Sequence, residues 1–265
     1  MNFTWEYWYV FPYAIFVATF ANASGFSGAV LFQPFFNFGL NLPIAQSIAT
    51  GIATETIGMT GGALRYRVMK KIDWAAVKVL LPAILVGVCL GLFIFYKLTP
   101  PVLRIVVGLV VGSIALYQLI RVVKNVYGEN DIADLNALRR WRWSGIFSGS
   151  FSACTGTGVA EMSQPILENK GSLKVHKANA TAIALEAGAD WMISIINLST
   201  GNLRFDILVF SVTGVIVGSQ LGAVVSPKIS PKLLKITFGS CVLGVALIYL
   251  YMGSSQLWAL YQQPT

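Results

Sequence analysis

The 265-residue chain is 55% hydrophobic and 11% charged, with a mean hydropathy of +0.68, a composition that excludes an ordinary soluble globular protein. Its net charge of +8 would suggest a nucleic-acid partner in a soluble chain, but among so many apolar residues Lys and Arg act first as topology signals. An integral membrane protein follows, with no nucleic-acid role.

Trp5, Trp8 and Tyr9 open the chain with aromatic side chains suited to a membrane interface, without the basic flank and small-residue cleavage site of a signal peptide. The first helix is therefore expected to stay in the mature protein. Apolar segments are predicted at about 9–24, 26–40, 44–64, 75–96 and 101–122, then at about 142–155, 158–169, 177–199, 205–226 and 231–252. The first two of each set hold roughly 15 residues or fewer, short for a hydrocarbon core of about 30 Å, so they are tilted spans or re-entrant hairpins. Between the sets lies the one substantial hydrophilic stretch, Gly128 to Trp143, read either as an interfacial helix or as a solvated connector.

The two sets are versions of each other. A shift of 131 positions matches Gly25 with Gly156, Gln33-Pro34 with Gln164-Pro165, Ala49-Thr50 with Ala180-Thr181, and Glu55 with Glu186. Gly87, Gly91 and Gly108 fall on Gly218, Gly222 and Gly239. The expected fold is an all-α integral membrane protein of two repeats of about five helical segments each. Residues 1–127 form the first repeat, 128–142 a cytoplasmic linker and 143–265 the second. Duplicated membrane bundles of this kind are the usual build of a secondary transporter, with substrate held between the halves.

Charge sets the orientation. With the loop carrying Arg65, Arg67, Lys70 and Lys71 inside, the groups around 121–142, 170–177 and 228–235 are also inside, in all 15 of 19 basic residues. Lys97, Arg104 and Arg204 fall outside and Lys78 within a span. This holds only when each repeat crosses an odd number of times. The repeats are then inverted and both termini face outward.

Each short pair is broken by a small polar cluster, Asn22 to Gly28 and Ser152 to Gly158. Backbone that leaves a helix at membrane depth must be buried in protein or line a wet cavity. A helix that restarts there offers free N–H groups and the positive end of its dipole, an anion cradle needing no Lys or Arg. The alternative is that these small residues only let helices pack closely. Candidate substrate-binding residues are Asn22, Ser24, Gly25, Ser27, Gln33 and Thr50, with Cys154, Thr155, Gly156, Thr157, Gln164 and Thr181 in the second half.

Four acids fall inside predicted spans: Glu55, Glu161, Glu186 and Asp190. A carboxylate there costs several kcal/mol unless protonated, paired or wetted, which makes each a functional suspect. These four are the candidate proton-coupling residues, a neutral hydrogen-bonded structural acid being the competing reading. Glu186 and Asp190 share a helical face with Asn179 through spacings of four and seven. The glycine pairs 87/91 and 218/222 read as close-packing devices. His176 is read as structural, and Cys89, Cys154 and Cys241 as small apolar side chains without disulfide spacing. No nucleophilic triad, phosphate loop or metal-site spacing is present, so enzymatic chemistry gains no support and no cofactor is expected.

The order of these motifs resembles the sulfite exporter TauE/SafE family, the four-toluene sulfonate uptake permeases. The resemblance rests on Ser24-Gly25 followed by Gln33-Pro34, Ala49-Thr50, Gly61 to Arg67 leading to Ile72-Asp73-Trp74, and Leu98-Thr99-Pro100-Pro101 before Leu103-Arg104. In the second half it rests on Thr155-Gly156-Thr157-Gly158 leading to Gln164-Pro165. It implies movement of a small sulfur-containing or organic anion such as sulfite, sulfoacetate or another sulfonate across a prokaryotic inner membrane, linked to protons. Phe26 and Ala29, then Val159 and Glu161, stand where the family carries a richer glycine run. The expected function is a proton-linked carrier, an exporter by resemblance, whose partners are its anion, protons and lipid. The alternative is a cation or metal carrier or channel that uses the intramembrane carboxylates.

Overall fold

The computed structural model describes residues 5–24, 26–124 and 129–262, which form eleven α-helices and one isolated parallel bridge between Asn130 and Leu173. The helices are α1 (Val10–Ser24), α2 (Ala29–Pro34), α3 (Ile44–Val68), α4 (Trp74–Phe95), α5 (Pro100–Lys124) and α6 (Leu135–Trp141). They continue with α7 (Ser144–Thr155), α8 (Val159–Asn169), α9 (Val175–Ser199), α10 (Phe205–Val225) and α11 (Pro231–Tyr261). Local chemistry sets several boundaries. Asp73 caps α4 by accepting from Ala75 N and Ala76 N, and Asp134 caps α6 in the same way. Pro34 brings no N–H to the ladder, and beyond it Phe35–Gly39 widens into a π-helical turn.

Four helices, α4, α5, α10 and α11, are long and apolar enough to cross a membrane. They present Leu90, Phe93, Leu109, Leu116, Ile216 and Leu247 outward, an apolar exterior suited to lipid. Cys89 and Cys241 are exposed on that exterior, and only Cys154 is buried. Helices α3 and α9, each 25 residues or about 37 Å long, carry more polar groups yet are the most enclosed of the long helices, and they form the centre. Thr56 Oγ1 meets Ser194 Oγ at 2.7 Å and Trp191 Nε1 donates to Thr60 Oγ1 at 3.0 Å, so the two run antiparallel.

Around this centre α1 packs on α10, α4 on α7 and α5 on α11. Glycine makes two of these seams possible. A Cβ on Gly87 or Gly91 of α4 would strike the backbone of Ile146 or Ser150 of α7, and one on Gly218 or Gly222 of α10 the carbonyl of Ile15 or Thr19 of α1. Ser150 Oγ then donates to Gly87 O at 3.0 Å, and Thr19 Oγ1 to Gly218 O at 3.2 Å. The close-packing reading of these glycines matches the geometry.

At one end of the bundle, three segments rich in basic residues are laced together. Ala133 N donates to Asp73 Oδ2, Asp134 N to Gly171 O, Asn130 N to Ser172 O and Lys174 N to Asn130 O, at 2.8–3.0 Å. Lys174 and Lys177 both contact Asp131. The hydrophilic stretch between the two sets of helices thus contains a short helix, α6, docked on the loops before α4 and α9.

Candidate functional site

Both helix breaks exist and they meet. The chain between α1 and α2 reaches the centre at Ser27, and α7 ends at Gly156, whose φ of +68° is a left-handed cap that glycine adopts without strain. A Cβ there would also run into Gln33 Nε2 and Ala29. Gln33 Nε2 donates to Thr155 O at 2.7 Å, and Ser27 Oγ lies 2.7 Å from Gly156 O. The two breaks, 129 residues apart in sequence, therefore touch in the middle of the molecule.

The backbone amides at these breaks are met by carboxylates. Glu55 of α3 accepts from Gly28 N at 2.6 Å, Ala29 N at 3.0 Å and Ser27 Oγ at 2.6 Å. Glu161 turns back from α8 to accept Gly158 N at 2.9 Å, half of a capping box, and crosses to Ser27 N at 2.6 Å. Glu186 of α9 accepts from Ala160 N and, at 3.3 Å, from Ser152 Oγ. The sequence leaves these amides either buried in protein or lining a wet cavity; in the structure the protein's own carboxyl groups accept from them. The reason is physical: an amide freed from its helix at this depth needs a strong acceptor, and a carboxylate on a neighbouring helix supplies one.

Asp190, one turn beyond Glu186, is fully buried and neither oxygen has a hydrogen-bond partner. One oxygen each of Glu55, Glu186 and Asp190 lie within 4.8 Å of one another. Ion pairs of the described residues join Arg121 to Glu168, Lys174 and Lys177 to Asp131, and Arg204 to Asp206. None of them involves the four central acids; Glu55, Glu161 and Glu186 meet backbone amides and hydroxyls instead.

The other sequence candidates divide. Ser27, Gln33, Gly156 and Thr157 are buried at or beside the meeting point; Gln164, on α8 three residues beyond Glu161, is buried with both polar atoms of its amide lacking a partner. Thr155 Oγ1 bonds Phe151 O and Thr157 O within its own break. Ser24 bonds back to Phe20 O and Ala21 O on its own helix, and Asn22 packs between α3 and α10, where Cβ atoms on Gly62 and Gly222 would meet it. Cys154 turns toward α4, its thiol 3.1 Å from Gly91 O. Thr50 and Thr181 sit away from the breaks at opposite ends of the centre, where each accepts a loop amide, from Arg204 N and Asp73 N respectively. Gly25 lies outside the described residues.

Two central residues escaped the sequence reading. Gln118 of α5 donates to Glu161 O at 2.7 Å, and Tyr249 of α11 is fully buried with its hydroxyl unpartnered. They are 131 positions apart, so the repeat offset itself could have found them. The buried pair of Arg121 with Glu168 at 3.0 Å, joining α5 to α8, was missed because both residues lie at the ends of predicted spans.

The family model for the sulfite exporter TauE/SafE matches residues 10–249, which takes in both breaks and all four central acids. No curated protein and no solved structure matches the chain.

Proposed function

Because the chain belongs to the sulfite exporter TauE/SafE family, a family of membrane transporters and not of enzymes, we propose that it carries a small sulfur oxyanion or sulfonate, such as sulfite or sulfoacetate, in exchange with or alongside protons. The observation that carries this reading is the set of backbone N–H groups at the two breaks, each donating to a carboxylate oxygen. Such amides bind anions, and a sulfonate or sulfite group offers the same acceptor chemistry as the carboxylates now on them. A substrate anion takes these amides when Glu55, Glu161 or Glu186 takes a proton and lets go. Proton uptake and anion binding are then two halves of one exchange.

The antiparallel course of α3 and α9, counterparts under the 131-residue shift, favours an inverted relation of the two repeats, 1–127 and 143–265. Helix pairing agrees with it, since exchanging each helix for its counterpart turns the contact of α1 with α10 into that of α7 with α4. Inverted repeats around a midplane site support alternating access. The gathering of basic loops at the end bearing α6 favours that end as cytoplasmic, with both termini outside a prokaryotic plasma membrane. Candidate substrate contacts are Ser27, Gln33, Thr155, Gly156, Thr157 and Gln164.

The test is flux into proteoliposomes across a panel of sulfur oxyanions and sulfonates, with and without a pH gradient. Uptake of at least one panel member, accelerated by the gradient, is expected; flux indifferent to the gradient would refute the coupling. A second reading, a cation site, draws on the cluster of Glu55, Glu186 and the unpaired Asp190. Stabilisation of the purified protein by sodium or a divalent cation, and not by sulfonates, would favour it.

A further inference from the structure

A groove of about 450 Å³ opens on the surface where α6 lies against α4. Three cations line it, Lys78 of α4 with Arg139 and Arg142 from α6 and its C-terminal edge, together with the apolar side chains of Val79, Pro82 and Val86. All three basic side chains are exposed, and among the described residues none of them forms an ion pair. The nearby acids are committed elsewhere: Asp73 bonds the amides of Ala75, Ala76 and Ala133, and Asp134 those of Asn136 and Ala137. Arg139 reaches only Asn136 Oδ1, at 3.5 Å. Three positive charges thus line one groove without an ion-pair partner among the described residues.

Depth decides what can neutralise them. Helix α4 starts at Trp74, which is exposed, so Lys78 lies about 6 Å and Val86 about 18 Å along the helix axis from that end. Beside the groove Trp141 and Trp143 stack at 5.7 Å between ring centroids, the aromatic signature of a membrane interface. The groove therefore begins among headgroups and runs along an apolar helix face into the acyl-chain region. Its ligand must carry negative charge at one end and hydrocarbon at the other. A soluble anion meets only the first requirement, and a zwitterionic lipid brings a cation of its own to three others.

We infer that this groove is a binding site for an anionic phospholipid, its phosphate held by Lys78, Arg139 and Arg142 and one acyl chain laid along Val79, Pro82 and Val86. Occupation would tie α6, and with it the loops before α4 and α9, to the membrane surface. The inference does not depend on what the protein transports.

The experiment is native mass spectrometry and thermal unfolding of the purified full-length protein with added phosphatidylglycerol, cardiolipin, phosphatidylcholine or glycerol 3-phosphate. The two anionic lipids are expected to bind and raise Tm above the level reached with phosphatidylcholine, and glycerol 3-phosphate to do nothing. Each basic residue contributes roughly fivefold in affinity for an anionic surface, so the triple variant Lys78→Gln/Arg139→Gln/Arg142→Gln should lose the anionic preference by about a hundredfold. Arg140→Gln, outside the groove lining, should keep it, as should the charge-retaining Lys78→Arg/Arg139→Lys/Arg142→Lys. Should the triple variant not fold, the single variant Arg142→Gln serves, with an expected loss of about fivefold. Equal binding of phosphatidylcholine, stabilisation by glycerol 3-phosphate alone, or a preference unchanged in the Gln variants would each overturn the assignment.

Discussion

Neutralising Glu186 tests whether the protein's own carboxylates compete with substrate. Glu186 holds the Ala160 N–H of α8, with a longer contact to Ser152. A hydrogen bond to a charged acceptor contributes about 1.5–3 kcal/mol and one to a neutral acceptor about 0.5–1.5 kcal/mol. Glu186→Gln therefore loosens that hold by about 1.4 kcal/mol, about tenfold in the affinity of a competing anion. Glu55 holds two amides, those of Gly28 and Ala29, and Glu55→Gln should shift affinity further, by about a hundredfold. The assay is equilibrium binding of a sulfonate, whose own charge is constant from mildly acidic to mildly alkaline pH. In the parent protein binding should weaken as pH rises, because the ionised carboxylates reclaim the amides. In each Gln variant the alkaline affinity should rise toward the acid value and the pH slope flatten, Glu55→Gln more than Glu186→Gln. A variant that binds as the parent does at alkaline pH, with the same slope, refutes competition at the amides.

Four other outcomes follow from the geometry. Arg121→Met removes a 3.0 Å ion pair from the buried Glu168 and should lower stability by up to about 3–5 kcal/mol in thermal or denaturant unfolding, and adding Glu168→Leu should recover part of it. Gly91→Ala would force a methyl onto Ser150 of α7 and should cost about 1–3 kcal/mol, whereas Gly244→Ala, with no atom within 4 Å of the added Cβ, should be neutral or stabilise by about 0.5–1 kcal/mol. Cysteines at Thr56 and Ser194, in a background without Cys89, Cys154 and Cys241, should form a disulfide across α3 and α9 that stops transport until reduced. The Lys174 ammonium, bonded to Asp131, holds its carboxyl below the ordinary range. A group depressed in the folded state contributes above its unfolded value and loses that contribution as pH falls through its folded one. Hydrogen exchange at the Asn130 and Lys174 amides should therefore be slower in the parent than in Asp131→Asn at neutral pH, with the difference vanishing on acidification.

Membrane class, helix order and the location of the breaks were legible because each rests on composition or on the 131-residue offset. Helix α9 begins and ends 131 positions after α3. The carboxylates were legible as suspects because an acid inside an apolar run is conspicuous. Their partners were not. Which amide Glu55 meets depends on how α3 packs against the start of α2, and the bond from Ser27 N to Glu161 spans 134 residues. Thr50 and Thr181 show the limit of matching by offset, which marks equivalence and not depth: both were grouped with the breaks, and both hold loops at the ends of the bundle. The charge of α6 marked a boundary, but its docking on the loops before α4 and α9 arises from backbone bonds that residue types do not announce.

The exchange of partners between α1 with α10 and α7 with α4 has a mechanical meaning. Each half of the polypeptide lends its opening helix to the fourth helix of the other, along seams where glycine lets main chains touch. Neither half is a separable machine, and a cut in the linker should leave two fragments that hold together as one particle. Under the alternating access proposed above, these mixed pairs are the natural rigid parts, so the moving pieces would be assembled from both halves and the boundary between them would follow helix seams, not the order of the chain.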